Sequence, residues 1–233
     1  MDNKNLVFEL LRPDDIEIRA QQITDRNRAI LLLYKDARCD MRLLDKAVGQ
    51  LGWQREPFEI KECLFCRVGI WDEEKREWVW KSDTGSPSNQ EAEKGHSSDS
   101  FKRACFNWGI GRELYTAPFI SIALNENEFY ESKGKKYLNK NAFRVGDIIY
   151  EDKKIIYLTL VGIDNSIRFE WCESWSNLIT REAKARIDAG IDRVLITEAI
   201  KTEYGKPNYS GVHDGDTAKK IISAIRGVKN NDK

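Results

Sequence analysis

The chain has no surplus of charge of either sign. Its 38 lysines and arginines face 38 aspartates and glutamates, so no global field points to a polyanionic partner. Any nucleic-acid surface must come from local segregation of charge. No run approaches the roughly 20 apolar residues of a membrane span. The opening Met1-Asp2-Asn3-Lys4-Asn5 lacks the basic, apolar and small-residue blocks of a secretory leader, and a cytoplasmic location with no membrane partner is the expectation. Cysteine is sparse and odd in number: Cys39, Cys63, Cys66, Cys105 and Cys172 are scattered along the chain, which argues against a disulfide framework and predicts reduced thiols. Cys63 and Cys66 have metal-ligand spacing, yet they fall in a predicted strand, where residues three apart point to opposite faces. No second pair or neighbouring histidine completes a zinc site. His96 and His213 lack a cysteine or serine partner for nucleophilic catalysis and read as surface residues. No Gly-x-x-x-x-Gly-Lys-Ser/Thr loop occurs, so neither ATP nor any other cofactor is expected.

What is present is a soluble globular composition, with 41% hydrophobic and 33% charged residues over 233 positions, enough for one sizeable domain or for one domain plus a small appendage. From Asn5 to about Tyr34, the apolar positions Ile16, Ile23, Ile30 and Leu33 are spaced by three and seven and predict a helical face, with Pro13-Asp14-Asp15 suiting a helix start. Met41, Leu44, Ala47 and Val48 predict a second helix over 40–48 that stops at Gly49. From Trp53 the character turns aromatic and β-branched. The runs 63–71 and 77–82 predict an antiparallel hairpin with Trp78 and Trp80 on one face and Val79 and Lys81 on the other. A turn-rich stretch, 84–89, leads to a helix over 90–108, whose core stripe is Ser97, Phe101, Ala104, Cys105 and Trp108. Short apolar runs at 119–124, 148–150, 155–163 and 167–171 predict further strands, and helical patterns cover 180–190 and 216–226. The expected organisation is a core over 1–118, further strands of the same domain over 119–175, and a helical region over 176–233. The fold class is α+β, with an antiparallel sheet packed on a long helix.

The block with chemistry to offer runs from Ser97 to Tyr115. Lys102 and Arg103 lie off the apolar stripe and are available to phosphates, and the break Gly109-Ile110-Gly111-Arg112 follows. The order Asp99, Lys102-Arg103-Ala104 and Trp108-Gly109 resembles the helix signature of the Rad-fifty-two/Rad-twenty-two type of single-strand annealing proteins. Its phage members are similar also in Gly109-Ile110-Gly111-Arg112 and Leu114-Tyr115. A second matching block is Tyr34-Lys35-Asp36-Ala37-Arg38, leading through Leu43, Leu44, Asp45 and Val48-Gly49 to Trp53-Gln54. Between the two lies a hairpin ending in Asp83-Thr84-Gly85. The resemblance covers about 30–118.

It implies a ring-forming homo-oligomer whose groove holds single-stranded DNA by its backbone and anneals complementary strands in recombination and repair without ATP. A phage exonuclease or a host single-strand binding protein are the further partners it suggests. By position, Lys102 and Arg103 correspond to groove residues, and Arg38 belongs to the second block. Three residues beyond Arg103, where the family is basic, stands Phe106, which leaves Arg112 as the candidate replacement. Arg26 and Arg28 are the candidates for a family arginine ahead of Tyr34. Lys133, Lys135 and Lys136, in a stretch rich in lysine, form a candidate second DNA surface or a solvated hairpin. Two other classes fit parts of the sequence. Asp45 with Glu59-Ile60-Lys61 suggests a metal-dependent nuclease, and the Trp71, Trp78 and Trp80 hairpin suggests a phage structural or partner-binding protein.

Overall fold

The computed structural model describes residues 6–85 and 92–230, with side chains in the second stretch from residue 97. It is a mixed α+β structure with antiparallel sheets. Contacts divide it into two units, one through Trp171 and one from Cys172.

The first unit begins with a difference from expectation. Instead of a helix before Tyr34, the chain forms two antiparallel strands, β1 (Glu17–Ile23) and β2 (Arg28–Tyr34). The spacing of Ile16, Ile23, Ile30 and Leu33 fits a helix only by coincidence. The pattern that decides is the alternation in β2, where Ala29, Leu31 and Leu33 are buried while Leu32 and Tyr34 are exposed. Asn27, at φ 53°, takes the left-handed position in the turn between the strands, a conformation that asparagine tolerates better than most residues. Asp36 then caps α1 (Ala37–Val48) by accepting hydrogen bonds from the Arg38 and Cys39 amides. This cap starts the helix three residues ahead of the predicted Asp40.

The next sheet has the order β3 (Trp53–Ile60), β4 (Cys63–Asp72), β5 (Glu77–Thr84). The hairpin of β4 and β5 matches the predicted runs, whereas β3 was not predicted. Its Pro57 is tolerated because β3 is an edge strand of that sheet. Ser86–Asn89 and the expected helix start at Gln90 lie outside the described residues. Helix α2 (Ala92–Trp108) packs against β4 and β5. It buries Phe101, Ala104 and Cys105 against a sheet face that includes Cys66, Val68 and Ile70. The N-terminal end of the stripe differs from expectation: Ser97 is exposed and Ser100 is fully buried.

After a 3-10 turn at Arg112–Thr116, β6 (Ile120–Ala123) pairs with β2 and completes the sheet β1-β2-β6. A short hairpin follows, β7 (Phe129–Ser132) and β8 (Lys135–Leu138), and then β9 (Phe143–Glu151), β10 (Lys154–Gly162) and β11 (Ile167–Cys172) form a sheet in the order β11-β10-β9.

The second unit consists of α3 (Trp175–Asp188), α4 (Arg193–Tyr204) and α5 (Gly215–Gly227), each capped by a side chain, Ser174, Asp192 and Asp214 in turn. Leu178, Ile179, Ile196, Ile200, Ile221 and Ile225 are buried in it. Helix α4 was not predicted, and α3 begins five residues before the predicted Thr180. Among the described residues no helix is long and apolar enough to cross a membrane.

Candidate nucleic-acid interface

Helix α2 is fixed to its sheet by specific contacts as well as by burial. The Trp108 indole donates to the Val68 carbonyl at 2.9 Å, and Phe101 stacks on Trp53 at 6.1 Å with the Arg55 guanidinium 5.1 Å from its ring centre. Two cations of the same helix leave this packed face in different directions. Arg103 is half-exposed and lies 3.5 Å from Asp83 on β5. Lys102 is largely covered, with 17% of its side chain accessible, and its ammonium is 4.0 Å from Asp99.

Lys102 is held in a charged cluster that the sequence patterns did not reveal. Burial lowers its pKa, and the neighbouring Arg19 and Lys35 lower it further against the opposing pull of Asp99 and Asp40. At the base of this cluster Lys35, at the end of β2, pairs with Asp40 of α1, and both are buried. The second carboxylate oxygen of Asp40 has no hydrogen-bond partner. At the rim, Arg19 of β1 lies 5.1 Å from the Tyr34 ring centre and bonds Glu17 at 2.7 Å. The antiparallel register explains the meeting, because Arg19 stands opposite Leu32 and Glu17 opposite Tyr34, which puts these side chains on one sheet face. Lys35 and Lys102 thereby act on one buried carboxylate, and Arg19, against the Tyr34 ring, acts on Lys102.

Gly111 supports the same cluster. It has φ 77°, and a Cβ there would overlap the aliphatic chain of Lys35. The second glycine of Gly109-Ile110-Gly111-Arg112 is thus required by the packing of a lysine.

The remaining candidates are distributed more widely. Arg112, in the 3-10 turn that follows α2, reaches back and donates to the Phe106 and Asn107 carbonyls at 2.8 and 2.7 Å. It thus caps the C-terminal end of α2, where a cation is favoured. Arg38 is exposed and paired with Asp36 at 2.7 Å. Arg28 shares the sheet face of Leu32 and Tyr34, four residues along β2 from Leu32, or about 13 Å. Arg26 is exposed in the turn between β1 and β2. Lys136 donates to the Asp25 carbonyl at 3.0 Å and to the Asn27 side chain at 2.6 Å, anchoring the β7–β8 hairpin on that turn. Lys133 and Lys135 are exposed.

Arg19, Tyr34 and Lys35 are the site residues that sequence reasoning passed over. Reading 17–23 as a strand would have revealed Arg19, since it then falls on the same face as Tyr34.

The residues proposed for a nuclease are not brought together. Asp45 accepts the Trp53 indole N–H at 2.7 Å at the start of β3, whereas Glu59 lies six residues further along the strand, about 20 Å away. Among the described residues no group of three or more His, Cys, Asp or Glu is placed to hold a metal ion. Cys63 is exposed and Cys66 buried, on opposite sides of β4. His213 is exposed, and the His96 side chain lies outside the described residues. No protein-family model matches the chain, and no curated protein matches it.

The buried carboxylate makes stability depend on pH. Burial pushes Asp40 up to about 6 from an ordinary value of 3.8, against the pull of Lys35 and Lys102. The folded state therefore binds this proton more tightly than the unfolded chain does. The resulting stabilisation is complete below the unfolded value and is lost as pH rises through 6, with a magnitude on the order of 2–3 kcal/mol. Asp15 and Asp36 run the other way: despite burial, hydrogen bonds from Arg12 and Arg38 among others hold them below the ordinary range. Their contributions are lost only at lower pH and leave the window from 4 to 6 clear. Urea midpoints are expected to be higher at pH 5 than at pH 7.5, with Asp40→Asn removing most of that slope. Equal slopes in the two proteins would rule out Asp40 as the titrating group.

Proposed function

We propose that this protein binds single-stranded DNA by its sugar-phosphate backbone and anneals complementary strands without nucleotide or metal. The observation that carries this reading is that Arg19, which lies against the Tyr34 ring, and the buried Lys35 both neighbour Lys102. Cations held partly out of water interact more strongly with a phosphate than mobile surface lysines do. The exposed Arg28 on the same face extends the positive track towards the turn. Tyrosine adds a flat surface for a base or sugar, and stacking on a ring together with phosphate contacts suits binding without sequence preference. Annealing requires charge neutralisation and base presentation rather than bond making, so no catalytic group is needed.

The reading includes a homo-oligomeric ring. Supporting it is the sheet face away from α2, where Phe58 stacks on Phe65 at 5.4 Å, Trp71 meets Trp78 at 5.5 Å, and Arg67 lies 4.4 Å from the centre of Trp80. Such an aromatic surface on one small sheet suits burial between subunits.

The test is fluorescence anisotropy with unrelated single-stranded oligonucleotides in chelator, followed by annealing of labelled complementary strands in the same buffer. Lys102→Ala/Arg103→Ala and Arg19→Ala are expected to weaken binding about equally for all sequences, by about tenfold for the pair. Each lost phosphate contact should flatten the plot of log affinity against log salt by about 0.7. Folded variants with unchanged affinity and slope, or annealing that requires magnesium or ATP, would overturn the reading. Light scattering should give a mass well above the 27.0 kDa of one chain.

A further inference from the structure

The β7–β8 hairpin has two dissimilar faces. Tyr130 stands directly opposite Tyr137, and Phe129 opposite Leu138. Phe129 and Leu138 pack against the core, and Lys136 lies 5.8 Å from the centre of the Phe129 ring while bonding the β1–β2 turn. Alternation therefore assigns Tyr130, Ser132, Lys135 and Tyr137 to the other face.

There the two tyrosine rings lie 5.4 Å apart and only 21° from parallel, and Tyr130 is 52% exposed. Lys133 and Gly134 form the turn with φ of 51° and 71°, which places Lys133 at the tip beside the exposed Lys135. Because Lys136 clamps the hairpin to the β1–β2 turn, the exposed Arg26 of that turn belongs to the same end of the sheet. The nearby acids are Glu131, opposite Lys136 on the inner face, and Asp25, whose carbonyl accepts from Lys136.

We propose that the outer face of this hairpin is a second nucleic-acid surface, on which unpaired bases of an incoming single strand stack against Tyr130 and Tyr137 while Lys133, Lys135 and Arg26 meet its phosphates. The inference rests on the annealing reading and adds to it the place of the second strand. Aromatic rings interleaved with cations recognise single strands irrespective of sequence, since every base has a π face and every nucleotide a phosphate. The hairpin is already anchored by Phe129, Leu138 and Lys136, so its attachment does not depend on a pair of rings directed away from the core. It also lies at the opposite end of β1 and β2 from Arg19 and Tyr34, which leaves each strand its own cations. Annealing needs two strands held at once, and the two ends of this sheet supply two places.

The experiment uses the full chain saturated with one unlabelled strand and then mixed with a labelled complementary strand in chelator. Tyr130→Ala/Tyr137→Ala is expected to bind the first strand within about twofold of the unaltered protein and to slow capture of the second by about tenfold. Tyr130→Phe/Tyr137→Phe, which keeps both rings, should capture it at close to the normal rate. Lys133→Ala/Lys135→Ala removes no packing and should slow capture with a reduced salt dependence, so the test holds even if the alanine pair fails to fold. Normal capture by a folded Tyr130→Ala/Tyr137→Ala protein, or by Lys133→Ala/Lys135→Ala, overturns the second surface while leaving the first intact. An unaltered protein that binds no single strand overturns both.

Discussion

Lys35→Met is expected to destabilise the protein by about 3–5 kcal/mol at pH 7.5, a large effect for one substitution outside the apolar core. The reason is the partner left behind. Asp40 is fully buried, its second oxygen already lacks a hydrogen bond, and Lys35 is its ion-pair partner. Without that ammonium the carboxylate must either remain charged in a poorly solvating site or take up a proton at a cost that grows with pH. The damage should accordingly be smaller at pH 5, where Asp40 is already mostly protonated. Lys35→Met/Asp40→Leu should recover much of the loss, because removing both charges removes the uncompensated one. Urea denaturation of the unaltered protein, Lys35→Met, Asp40→Leu and the double variant at pH 5 and pH 7.5 measures the coupling directly. A double variant no more stable than Lys35→Met would mean that the pair does not act as a unit.

Phe101→Ala is expected to cost about 3–5 kcal/mol, with Trp108→Ala somewhat less damaging at about 2–4 kcal/mol. Phe101 is 1% exposed and packs against Trp53 and the Arg55 guanidinium, so its removal leaves a closed cavity. Trp108 is only partly buried, although its loss also removes a hydrogen bond to the Val68 carbonyl and the ring beside the Lys81 ammonium, 4.4 Å away. Thermal and urea denaturation should rank Phe101→Ala as the more severe. The reverse order would show that the indole hydrogen bond outweighs the packing. Both residues join α2 to its sheet, so first-strand affinity should fall along with stability. Arg19→Ala, at an exposed site, should lower affinity alone.

The elements legible from residue order are those whose pattern has a single geometric solution. Trp78, Val79, Trp80 and Lys81 alternate and can only be a strand. Of the stripe Ser97, Phe101, Ala104, Cys105 and Trp108, α2 buries Phe101, Ala104 and Cys105 and half-buries Trp108, while Ser97 is exposed. Gly49 ends α1 where a left-handed residue is needed. Ile16, Ile23, Ile30 and Leu33 were misleading because spacings of three and seven occur on a helix but also arise across two strands joined by a turn. Local chemistry was decisive there, with Asn27 making the turn and Ala29, Leu31 and Leu33 alternating inward.

The candidate site divides along the same line. The place of Lys102 and Arg103 off the core stripe was recognisable because it is a property of a few consecutive residues, but the expected availability of Lys102 was not met, since only 17% of its side chain is accessible. Arg19, Tyr34, Lys35 and Asp40 were not, because their meeting depends on the register of β1 against β2 and on the way α1 turns back after its Asp36 cap. Arg112 shows the converse: adjacent to the motif in sequence, it folds back to satisfy the carbonyls at the end of α2. Composition and local spacing were therefore sufficient for the α+β class, the α2 core stripe and the basic pair beside it, since periodicity and turn chemistry act over a few residues. The burial of Asp40, the neighbours of Lys102, and the docking of the β7–β8 hairpin on the turn that carries Arg26 depend on contacts between residues far apart in the chain. Charge and solvent exposure at such positions are properties of packing, which residue order alone does not specify.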